Sequence, residues 1–173
     1  MYPIRAGERL AGHAPKALET LGNPLLLERP KLALFCSVRC PPAKAAAIGP
    51  SLKRLRDPGL AVISGFHSPV EKQCLKILLD LQQSVIICLA RRLEKIRLPL
   101  DWRAPLEQSR LLLLSRFTMQ PRRPDRRDAQ RRNELVAALA DEALIVYAEP
   151  GGSIDQVARL IERWNIPQRQ LDA

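Results

Sequence analysis

The sequence predicts a three-layer α/β fold: a mainly parallel sheet of about five to six strands with helices on both faces. Two observations carry this. Five short runs lack apolar/polar alternation, as strands buried on both faces do: KLALFC (Lys31–Cys36), LAVIS (Leu60–Ser64), SVIICLA (Ser84–Ala90), RLLLLSRF (Arg110–Phe117) and ALIVYA (Ala143–Ala148). Segments with helical spacing separate them, and such alternation builds a parallel sheet covered on both sides.

Each element has a local reason. Residues 1–30 read as an N-terminal arm, broken by Pro3, Pro15, Pro24 and Pro30, with a short helix near Pro15–Leu21 that Gly22-Asn23 would stop. Residues 31–173 read as a single domain. Ile48, Leu52 and Leu55 share one face of a helix over 43–56, ended by Asp57-Pro58-Gly59. Ser68-Pro69-Val70-Glu71 is a capping box that opens a helix to Leu81. Arg91 to Pro105 is irregular, with a short helix following to Ser109. A long helix spans Pro124 to Asp141 and a last one Ile154 to Trp164. Pro167–Asp172 suits a short edge strand.

In an open sheet of this kind ligands bind beyond the carboxyl ends of the strands. Those ends are Ser37-Val38-Arg39, Ser64-Gly65-Phe66-His67, Ser115-Arg116-Phe117 and Glu149-Pro150-Gly151-Gly152-Ser153. Two of these loops run straight into helices, whose N-terminal N–H groups receive anions. Gly65 and Gly151-Gly152 allow close approach. The candidate phosphate or nucleic-acid ligands at this edge are therefore Ser37, Arg39, Ser64, Gly65, His67, Gly151, Gly152 and Ser153.

Charge points the same way. The chain has 173 residues, a net charge of +10, and 21 arginines among its 28 basic residues. An excess of this sign favours polyanions. From Arg116 to Arg132 the sequence reads RFTMQPRRPDRRDAQRR, seven arginines against Asp125 and Asp128. Arginines in a helix's first turn oppose its macrodipole, so an external anion explains them better than a local one does. Arg116, Arg122, Arg123, Arg126, Arg127, Arg132 and Asn133 complete the candidate set. Asn133 is expected to hold the edge loops while Arg132 points to the anion. Phe66, Phe117 and Trp102 are the aromatic platforms near the edge.

Several classes drop out. There is no GxGxxG after the first strand, no GxxxxGK[ST] and no Ser/His/Asp set, so no catalytic residue and no cofactor are assigned. Cys36, Cys40, Cys74 and Cys88 lack metal spacing, and only His13 and His67 could join them, so no metal is assigned. The cysteines suit reduced thiols. No apolar run approaches the ~20 residues of a bilayer span, and the first 24 residues have no signal-peptide core. The expectation is a cytoplasmic protein with no membrane partner.

Read in order, LALFCSVRCPP, VISGFHSP, LLLLSRF and RRNELVAALADEALIVYAEPG resemble the Rossmann-like core of the DNA-processing protein A (DprA/Smf) family, over residues 22 to 172. Arg132-Asn133 before Leu135 to Leu139 looks like its Arg-Asn helix. Ser64-Gly65 matches its Ser-Gly, Ser37 the Ser of its Gly-Ser-Arg loop, and Gly152-Ser153 a shortened last Gly-Ser loop. Cys36 and Val38 replace the Gly and Arg of the first of these loops. The resemblance implies single-stranded DNA as ligand and a recombinase as partner. A homodimer stays open. The alternative is a nucleotide-ligand sensor or a LOG-type phosphoribohydrolase-like protein, echoed by Pro150-Gly151-Gly152 but without that family's Gly-Thr and catalytic Glu.

Overall fold

A computed structural model describes residues 4–94, 96–117 and 125–169. Its sheet has seven strands: β1 (Glu19–Gly22), β2 (Lys31–Cys36), β3 (Ala61–Ser64), β4 (Ser84–Leu89), β5 (Leu111–Ser115), β6 (Glu142–Tyr147) and β7 (Gln168–Arg169). Their spatial order is β1-β5-β4-β3-β2-β6-β7. All pairings are parallel except β1 with β5. The helices are α1 (Ile4–Leu10), α2 (Pro42–Arg54), α3 (Pro69–Asp80), α4 (Arg103–Glu107), α5 (Arg126–Leu139) and α6 (Ser153–Arg163).

The apolar runs are strands for the reason given: every residue of β2, β3 and β5 is buried. Successive side chains enter opposite layers. Leu32, Leu34, Val62, Val85 and Leu113 pack under α2 and α3. Ala33, Phe35, Ile63, Ile86 and Leu112 pack under α5 and α6. Burying a Leu, Ile, Val or Phe side chain is worth about 1.5–3 kcal/mol, so these two layers supply most of the driving force.

The expected helix near Pro15–Leu21 is replaced by β1, which runs antiparallel along β5, with Glu19 opposite Ser115 and Gly22 opposite Leu112. The ladder that β5 offers overrides the weak local preference of a four-residue polar segment. Gly22 ends it with φ of +107°, and a Cβ there would collide with the Leu111 carbonyl. Asn23 then accepts from Leu25 N at 3.1 Å and donates to the Ser109 carbonyl at 2.9 Å, fixing the turn into the next segment.

Because α3 and α5 each precede a parallel strand, both N-termini lie at the carboxyl edge of the sheet, one on each face. The order in which strands are added reverses between β2 and β6, where a doubly wound sheet opens a crevice.

Candidate functional site

The carboxyl edge carries a cavity of about 720 Å³ over the ends of β3 and β4. One wall is the loop Gly65-Phe66-His67 with Lys72 and Leu75 of α3. Another is Asp125, Arg126, Ala129 and Arg132 of α5, and Ala90, Arg91 and Trp102 close it. Lysine, three arginines and a histidine face a single carboxylate, that of Asp125, among the described lining residues. Ile87, Leu89 and the two aromatics supply an apolar floor.

Arg132 is the buried member, 7% exposed. Its Nε and Nη2 both donate to Asn133 Oδ1, at 3.1 and 2.9 Å. Burial pulls its pKa down, and the nearby Glu71 carboxylate works against that shift; a guanidinium stays charged regardless. The guanidinium lies flat against Gly65. A Cβ on Gly65 would sit 2.5 Å from Cζ and Nε and 2.7 Å from Nη1. Gly65 is therefore small because an arginine occupies the space above it. Asn133 holds that arginine, and among the described residues it makes no hydrogen bond to the edge loops.

The neighbouring helix start is closed by the protein's own anion. Glu71 Oε2 accepts from His67 N at 2.8 Å and from Ser68 N at 3.1 Å, while its Oε1 accepts from Cys36 N at 3.0 Å. Ser68 Oγ accepts in turn from Glu71 N at 3.2 Å. The His67, Ser68 and Glu71 amides at this junction are thus already used. Ser64 is buried, and its Oγ accepts from Phe66 N at 3.2 Å. That bond supports Phe66 in a left-handed conformation, φ +47°, a geometry that costs a bulky residue of order 1–3 kcal/mol and is concentrated at ligand sites.

The α5 start has a second capping box, Asp125 with Asp128. Asp125 is held below the ordinary carboxylate range, chiefly by the Asp128 N–H it accepts, with the charges of Arg127 and Arg131 adding to the effect. Arg126 and Arg127 thus stand beside a helix end whose dipole is already served.

Of the candidates, Gly65, His67, Arg126 and Arg132 line this cavity. Arg116 and Arg127 line another, on the far side of α5. Ser37, Arg39 and the Gly151–Ser153 loop gather instead at the β2/β6 crevice. There Ser37 Oγ accepts from Glu149 N at 2.9 Å, and Arg39 pairs with Glu149 at 2.6 Å. That crevice is bridged, and the open cavity lies one strand away. Gly151 takes φ of +72°, and a Cβ on Gly152 would stand 2.9 Å from the Glu149 carbonyl, so both glycines serve the turn. Glu71 and Glu149 are each engaged in their own network. Arg122 and Arg123 lie outside the described residues. Lys72 and Arg91 were not anticipated. Arg91 follows β4 directly, so the strand-end rule, extended to that strand, would have found it. All four cysteines are free, and no cluster of metal-ligating side chains occurs among the described residues.

A family model described as DNA recombination-mediator protein A matches residues 1–163. The chain belongs to that family. Two solved members resemble it. DNA processing protein A from Streptococcus pneumoniae has a TM-score of 0.78 at 19% identity, over 96% of this chain and 58% of its own. The Helicobacter pylori protein, described for its single-stranded DNA binding mode, has a TM-score of 0.77 at 22% identity, over 99% of this chain and 80% of its own. The chain thus spans little more than half the length of the streptococcal protein. No curated protein matches the sequence. Among the described residues no helix is long and apolar enough to cross a membrane.

Proposed function

We propose that this protein binds single-stranded DNA at the carboxyl edge of its sheet, with a nucleotide of the strand seated in the cavity between β3, β4 and α5. The observation that carries the reading is the composition of that cavity: Lys72, Arg91, Arg126 and Arg132 around Phe66 and Trp102, with one carboxylate, already engaged as a helix cap. Phosphates call for the cations, and an unpaired base calls for an aromatic or apolar face. Family membership supports the reading, as does the strand-binding mode described for the Helicobacter pylori relative. Arg126 and Arg91 meet phosphate as mobile charges. Arg132, fixed by Asn133 and Gly65, offers Nη1 in a set direction. A recombinase is the partner proposed with it, a reading that the family's description as a recombination mediator supports.

The test is binding of labelled oligo-dT over a range of salt, with free mononucleotides as competitors. Contact with several phosphates gives a slope of about −0.7 per phosphate, and Arg91→Gln with Arg126→Gln flattens it by about 1.4. Millimolar mononucleotide does not displace the strand. A shallow slope, with micromolar mononucleotide displacing the oligomer, would instead identify a nucleotide sensor.

A further inference from the structure

On its other side α5 carries a second cavity, of about 530 Å³, lined by Gly12, His13, Ala14, Arg116, Arg127, Gln130, Arg131 and Glu134. The helix's own period makes this so. Asp125, Arg126, Ala129 and Arg132 fall on one face, whereas Arg127, Gln130, Arg131 and Glu134, at i, i+3, i+4 and i+7, fall on the adjacent one. The first turns of α5 therefore stand as a post between two concavities, each with arginines pointing into it.

The second concavity is a built feature. Arg116 donates through Nη1 to the Arg131 carbonyl at 2.9 Å and through Nη2 to the His13 carbonyl at 2.7 Å, tying the turn Ala11–His13 to α5. Gln130 Nε2 donates to Glu134 Oε1 at 3.4 Å, and among the described residues its buried Oε1 has no donor. Arg127 and Arg131 are exposed, and the carboxylates beside them include Asp125, which already caps the helix, and Glu134, which accepts from Gln130. Arg127 thus stands in the first turn of a helix, an end that disfavours cations, and Arg131 follows one turn on.

We infer that this second cavity is a phosphate subsite, so that a bound strand crosses the N-terminal turns of α5 from the first cavity to the second. The inference rests on the proposed strand-binding function and fixes the strand's path and minimum length. A short oligomer fills the first cavity alone; a longer one engages Arg127 and Arg131 as well.

The experiment compares dT4 and dT20 over a range of salt, on the intact chain and on Arg127→Gln/Arg131→Gln. Arg159→Gln/Arg163→Gln, an equal loss of charge on exposed positions in the second half of α6, serves as control. The inference predicts that the α5 pair flattens the dT20 slope by about 1.4, at −0.7 per phosphate, and leaves dT4 unchanged, while the α6 pair changes neither. An unaltered dT20 slope, or equal effects on both oligomers, overturns the second subsite while leaving strand binding intact. If the intact chain binds neither oligomer, the function itself falls and the subsite with it.

Discussion

Gly65 and Arg132 are one unit in this fold, though 67 positions apart in the chain. The glycine exists to admit the guanidinium, and the guanidinium holds its direction because Asn133 accepts two of its N–H groups. Gly65→Ala should therefore act by expelling Arg132. Both single variants, Gly65→Ala and Arg132→Ala, should weaken oligo-dT binding by similar factors. The double variant should be no weaker than Arg132→Ala alone, since the three atoms nearest that Cβ all belong to Arg132. Neighbours that share a contact are expected to be non-additive in this way. Additive losses, read from three dissociation constants, would show that Gly65 serves the ligand directly instead. The sequence flags both residues through the Ser-Gly at a strand end and the Arg-Asn helix start. It does not show that they touch, because a contact between separate elements leaves no local signal.

On the β2/α3 side of this edge, elements are held to one another by the Glu71 carboxylate. Glu71 collects N–H groups from the end of β2 and from the loop ahead of α3, so it fastens two strand–helix junctions at once. Glu71→Gln keeps the size but places an amide donor against these donors. It should destabilise the fold by about 1–3 kcal/mol, the cost of leaving buried polar groups unpaired, seen as a lower denaturant midpoint with an unchanged slope. A midpoint equal to wild type would mean that the loop finds other partners. The capping role of Glu71 was legible from Ser68-Pro69-Val70-Glu71, and so were six strands and five helices, because unbroken apolar runs, helical spacing and the turn formers between them are local patterns. β1 was not legible. It is short, mostly polar and largely exposed, and only β5 makes it a strand. The cavity was half legible for a related reason: Gly65, His67, Arg126 and Arg132 sit where strand-end and helix-start rules point, and Trp102 is one of the few aromatics near the edge, whereas Lys72 arrives from a helix flank to which no such rule points.

The whole molecule is a sheet whose two helical layers leave one edge uncovered, and that edge is where the positive charge, the small residues and the aromatic faces converge. Charge alone, +10 over the chain, would suit any polyanion, and the crevice between β2 and β6 would be the expected place for a ligand. Here Glu149 bridges that crevice with Ser37 and Arg39, and the open concavity has moved to β3 and β4. The central claim is that an unpaired base enters it. Trp102 lines the cavity, while Trp164 packs against the opposite core layer near the end of α6. With Trp164→Phe, the remaining indole emission reports on the cavity alone. Titration of that variant with oligo-dT should quench Trp102 saturably, and an abasic oligomer of equal length and charge should bind without comparable quenching. The same binding curve for both oligomers, with Trp102 emission unmoved by either, would contradict the account.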